Sequence, residues 1–126
     1  MAGFTTAYQA QVGNKIFRNV PLTASSATKY VGYSMSAGTE NTDGNYVRQV
    51  ITFGAFVATT GISTNSSAVT FPAAAAGHNV VECCLFTATT GGTQISDWKA
   101  LTGGTVALTT GQQFRIPAAS YQLTVE

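Results

Sequence analysis

From Lys29 to the C-terminus the chain meets a turn signal every few residues. About eight short strand-like runs follow one another at roughly 8–12-residue spacing, with glycine at most of the breaks. That rhythm predicts an all-β fold, an antiparallel β-sandwich of jelly-roll-like form. The least polar of these runs is Val80 to Thr87. Alternation along a strand puts Val81, Cys83 and Leu85 on one face and Val80, Glu82, Cys84 and Phe86 on the other. A strand apolar on one face and nearly so on the other belongs in the middle of the molecule.

The neighbouring runs carry the same pattern. Lys29 to Ser34 (KYVGYS) is rich in β-formers and leads into SAGTENTDGN, a stretch dense in turn residues. Glu40 and Asp43 lie in that stretch at a spacing that fits no calcium loop, and are expected to be solvated. Tyr46 to Phe53 reads as a strand whose inward face is ambiguous. Val47, Ile51 and Phe53 share one side with Gln49, and Tyr46, Val50 and Thr52 share the other with Arg48. Asn65-Ser66-Ser67 is a turn before Val69 and Phe71. Pro72 then marks a strand end or an edge, and Ala73 to Ala76 is too short for a helix of its own. Gly91-Gly92 has hairpin composition and joins Val80–Thr87 to Gln94–Leu101. Further on, Val106 and Leu108 share a face, Phe114 and Ile116 point inward against Gln113 and Arg115, and Tyr121, Leu123 and Val125 alternate with polar residues.

The N-terminal end differs. Tyr8, Val12 and Ile16 recur at helical spacing after a possible Thr5 or Thr6 cap. Pro21 bars continuation. The 126 residues thus divide as one domain, with a helical arm over 1–20 and the sandwich over 28–126. Phe4, Tyr8, Val12, Ile16 and Phe17 are the arm's candidate docking residues. The alternative is that the arm covers an open side of the sheet.

Charge separates the function classes. Only 9% of residues are charged, against about 25% in typical soluble domains, and the net charge is +1. The six basic residues are scattered, so nothing forms a nucleic-acid footprint. No apolar run approaches the ~18–20 residues a membrane span requires. Met1 to Gly13 has neither a basic region nor an apolar block, so no secretory signal is expected. A hydrophobic fraction of 44% argues against disorder. A surface so poor in charge is expected to be covered in part by other subunits.

Candidates for chemistry are few. His78 is the single histidine, and with two adjacent, oppositely facing cysteines it cannot complete a zinc site. A Ser-His-Asp triad would need His78, and there is no Gly-x-Ser-x-Gly elbow. Glu82 and Asp97 are the only pair placed to face each other across a hairpin like glycosidase carboxylates. No catalytic, cofactor or metal residue is assigned. Cys83 and Cys84 read as buried thiols, the sharper reading being a disulfide between subunits. Tyr30, Tyr33 and Trp98 are candidates for stacking on carbohydrate, with burial the competing reading.

In order along the chain, KYVGYS, a YVR strand, NSSAVTFPAA, a central strand ending CLFTA, then GG and WKAL resemble the small tailed-phage virion proteins labelled as tail-fibre proteins. Several such β-sandwich proteins serve as capsid decoration or cement proteins. The segment HNVVECC departs from the pattern, having paired cysteines and no aromatic residue before the strand. The resemblance implies a structural virion protein with no catalytic residues and no cofactor. Compact size favours a capsid decoration protein, made in the host cytoplasm and located on the capsid surface. It would form a homotrimer and bind the major capsid protein, without nucleic acid or membrane. The alternative is a tail-fibre or tail-tip module that recognises host-surface glycan through Tyr30, Tyr33 and Trp98.

Overall fold

A computed structural model describes residues 5–6, 9–10, 28–57 and 59–124. The elements there are β1 (Lys29–Ser36), β2 (Thr39–Glu40), β3 (Gln49–Ile51), β4 (Ile62–Thr64), β5 (Val69–Thr70), β6 (His78–Val80), β7 (Glu82–Phe86), β8 (Lys99–Ala100), β9 (Val106–Leu108), β10 (Arg115–Ile116) and β11 (Gln122–Thr124). Every pairing among them is antiparallel. The all-β, antiparallel part of the expectation is therefore present. The ladders form one five-stranded sheet, with β7 between β1 and β8 and with β2 and β3 both on β1, plus three two-stranded ladders: β10–β5, β11–β4 and β6–β9. Most of the expected helical arm, including Phe4, Tyr8, Val12, Ile16 and Phe17, lies outside the described residues.

β1 is the longest strand and the organising one. Its Val31 and Tyr33 join Cys83 and Leu85 of β7, Ile51 of β3, Val69 and Phe71, Phe114 and Ile116, and Tyr121 in a single core. At about 25 cal/mol per Å² of apolar surface removed from water, such side chains contribute about 1.5–3 kcal/mol each. The aromatic members meet edge-on: Tyr33 against Phe71 at 4.8 Å and against Phe114 at 5.5 Å between ring centres. Offset or edge contacts suit the ring quadrupoles.

The central run is not continuous. It breaks at Val81, so Val80 and Cys83 both enter the core although they are three residues apart. The reason is a change of partner. Val80 pairs with Val106 of β9, whereas Glu82 pairs with Ser34 of β1 and Ala100 of β8. Val81 spans the switch, its N–H donating to Ser34 O (3.0 Å) and its carbonyl accepting from Leu101 (3.3 Å).

The hairpin after β7 is as the glycines suggest. Gly91 and Gly92 have φ of 60° and 70°, both in the left-handed region that favours glycine. Thr87 N–H closes the turn on Thr93 O at 3.0 Å.

Asn65 staples the far end of the molecule. Its buried amide donates to Ser67 O (2.9 Å) and Pro117 O (3.0 Å), and its oxygen accepts from Tyr121 N–H (2.8 Å). A turn residue in the sequence thus holds the segment from Pro117 to Tyr121.

Candidate functional site

The two faces of β1 carry different chemistry. Tyr33 lies on the core face, while Gly32 and Ser34 lie on the other, opposite Cys84 and Glu82. Over Gly32 a polar cluster assembles. Arg48 donates to Glu40 from Nε (2.7 Å to Oε1) and Nη2 (2.8 Å to Oε2), and from Nη1 to the carbonyls of Ala88 (2.9 Å) and Gly91 (2.8 Å). Its guanidinium carbon is 3.5 Å from the centre of the Phe86 ring. A two-pronged, charge-assisted pair over an aromatic face is among the stronger arrangements available to arginine. Tyr46 donates its hydroxyl to Glu40 Oε1 (2.8 Å) and accepts the backbone N–H of Tyr33 (3.1 Å). Burial alone would raise the Glu40 carboxyl, but hydrogen bonds from Arg48 and Tyr46 more than offset it and the net shift is downward. Burial, then the nearby Glu40, push the Tyr46 phenol far above its ordinary value.

A second cluster gathers next to it, around the Tyr33 hydroxyl. Tyr33 donates its hydroxyl to His78 Nε2 (2.9 Å), which Asn41 also approaches with its amide at 3.0 Å. His78 Nδ1 faces Ala76 O at 3.0 Å. A carbonyl only accepts, which puts the ring proton on Nδ1 and leaves Nε2 as the acceptor. Asp43 receives N–H bonds from Ala75 and Ala76 at 3.0 Å each. The Ala75 bond is foremost among the causes that hold its carboxyl below the usual range. Glu40 and Asp43 are therefore not idle loop carboxylates. One neutralises Arg48 and the other caps the alanine tract.

Neither cluster contains the expected Glu82–Asp97 pair. Glu82 stands opposite Ala100, not Asp97, and accepts the N–H of Gly38 at 2.8 Å, so the carboxylate pair across the hairpin does not form. Among the described residues no group of His, Cys, Asp and Glu gathers to hold a metal. Cys83 and Cys84 are buried free thiols, each pushed up to about 12 chiefly by burial. That fits the reading as buried thiols.

The three aromatic candidates are not brought together. Tyr33 is 2% exposed and is a core residue, so it offers no stacking surface. Tyr30, on the opposite face, pairs in register with Phe86. Trp98 meets the Phe86 ring edge-on at 5.9 Å. Tyr30 and Trp98 keep partial exposure, and Phe86 between them is covered by Arg48.

What the alternation hid is an apolar strip. Val47 (47% exposed), Val50 (54%), Phe56 (52%) and Val57 (49%) lie in one stretch of chain. Val50 lies on β3, which among the described strands pairs with β1, and beside it is a surface hollow of about 440 Å³ lined by Ile51, Thr52 and Phe53. The signal was present as VxxV followed by AFV, but nothing in a single strand says which face is covered.

No curated protein matches the chain. The family model described as Podophage GP4 fiber I protein gp80 matches residues 3–124. With nearly the whole chain matched, this protein belongs to the podophage GP4 fiber I protein gp80 family, structural virion proteins of tail-fibre type and not enzymes.

Proposed function

We propose that the protein is a tail-fibre subunit that associates with copies of itself as a homotrimer and contributes to attachment at the host surface. The observation that carries this reading is the strip of Val47, Val50, Phe56 and Val57, each about half exposed. Large hydrophobics left exposed along one segment of chain are what a subunit interface needs. Covering them removes apolar surface from water, and with 9% charged residues little charge repulsion opposes the approach of identical faces. A closed ring satisfies such a surface without leaving it open at the ends.

Compact size favours a capsid decoration role, with the major capsid protein as partner. The match to a fibre family supports the tail-fibre reading more strongly. A gold-labelled antibody against this protein, applied to purified phage, tests the choice. Label along the fibres is expected, and label spread over the head surface would restore the capsid reading. Phage carrying Val50→Asp and Phe56→Asp together should lose the label while the soluble protein remains folded.

A further inference from the structure

We propose that the cleft bounded by β8 and β10 is a binding site for one acidic sugar ring, of the uronic-acid kind. The cleft has a volume of about 190 Å³. A cavity of about 150 Å³ accommodates a benzene ring, so this one has room for a single six-membered ring and its substituents. Leu101, Phe114, Ile116 and Pro117 supply an apolar wall suited to the C–H face of a pyranose. The wall is held in place before any ligand arrives, because Asn65 fixes both Pro117 and Tyr121 through its buried amide.

The charge around the cleft is one-sided. Lys99 and Arg115 both line it, and no carboxylate does. Among the described residues neither cation is in an ion pair or hydrogen bond through its side chain, whereas Arg48 is fully engaged elsewhere. Two of the six cations of a sparsely charged chain thus flank one small cavity with no partner among the described residues. A carboxylate is the group that an arginine fork and an ammonium would hold together.

Tyr121 gives the third observation. It lines the cleft and is 6% exposed. Its hydroxyl is turned inward beside Ser96 and closed off from solvent, so the residue gives the cleft a fixed floor. The hydroxyls that line the cleft are those of Thr102 and Ser120, and these can serve the hydroxyls of a ring. Apolar wall, two cations and lining hydroxyls match a hydroxylated ring acid better than a plain apolar or purely anionic ligand.

The choice of a saccharide as the source rests on the host-attachment reading, whereas the ring-plus-carboxylate chemistry does not. The test is amide and methyl NMR on the purified full-length protein, titrated with glucuronate, glucose and benzoate in parallel. Shifts confined to residues around Lys99, Arg115 and Tyr121 with glucuronate, and much weaker ones with glucose, are expected. Arg115→Gln should weaken glucuronate binding at least about tenfold, with Lys99→Gln acting in the same direction and both variants keeping the wild-type spectrum elsewhere. No shifts at the cleft, equal response to glucose, tighter response to benzoate, or glucuronate binding indifferent to Arg115→Gln would each overturn the proposal. Adsorption of the protein to host cells is measured separately. Adsorption without glucuronate binding rejects the cleft and keeps the attachment reading, whereas cleft binding without adsorption rejects the attachment reading alone.

Discussion

Arg48 holds its guanidinium 3.5 Å from the centre of the Phe86 ring while forking onto Glu40. This relationship ties the loop after β2 to the middle strand of the sheet, and it explains why a charged residue is only 8% exposed.

The pair makes stability depend on acid. Glu40's carboxyl lies below its ordinary value in the folded protein. Its contribution is therefore present above the unfolded carboxylate value of about 4.3 and is lost as pH falls through the folded one. Urea midpoints measured from neutral pH downward should decline through that acid window. In Glu40→Gln the decline should be shallower, and at neutral pH the variant should be less stable by about 1–3 kcal/mol. Equal slopes in the two proteins would remove Glu40 from the account.

Gly32 is required by the same cluster. A Cβ there would fall inside the contact shell of the Tyr46 hydroxyl and stand 3.1 Å from both Glu40 Oε1 and Phe86 Cε2. Gly32→Ala should destabilise by about 1–3 kcal/mol. In a Tyr46→Phe background the same change should cost less, because the closest obstacle is gone. The coupling is read from a double-mutant cycle of thermal or urea unfolding.

Tyr33 works in the core and not at a sugar face. Tyr33→Phe loses the bond to His78 and should cost about 1 kcal/mol, whereas Tyr33→Ala should cost about 3–5 kcal/mol. Host-cell adsorption by the folded Tyr33→Phe protein should be unchanged. A selective loss of adsorption in that variant would reinstate Tyr33 as a binding residue.

Both thiols should be silent in the native state. Burial and values raised to about 12 leave almost no thiolate at neutral pH. A chromogenic disulfide reagent should titrate two thiols in denaturant and essentially none without it. Rapid native reaction would mean that the sheet around β7 opens.

Parts of this were legible in the residues. The inward set Phe114 and Ile116 against exposed Gln113 and Arg115 follows the alternation as read. The glycine pair at 91 and 92 makes its turn, and Val69 and Phe71 face the core together. The break at Val81 was not legible, because it arises from a change of ladder partner and not from a local breaker. The Glu40–Arg48 pair was hidden for a related reason. Its members meet across a turn at no fixed helical or strand spacing, so the loop carboxylate looked solvated. Between Tyr46 and Phe53 both faces carry apolar residues. Pairing with β1 decides it: Val50 stands opposite Tyr30, on the face away from the core residues Val31 and Ile51. The cleft at Lys99 and Arg115 joins two strands distant in the chain, which no single-strand pattern brings together.

The central claim is that the strip from Val47 to Val57 is covered by further copies of this chain. The most direct measurement is the solution mass of the purified protein by native mass spectrometry or sedimentation at micromolar concentration. A trimer of the 13.0 kDa chain that falls apart to folded monomers in Val50→Asp is the predicted result. A wild-type protein that stays monomeric, or a trimer unmoved by Val50→Asp and Phe56→Asp together, would contradict it.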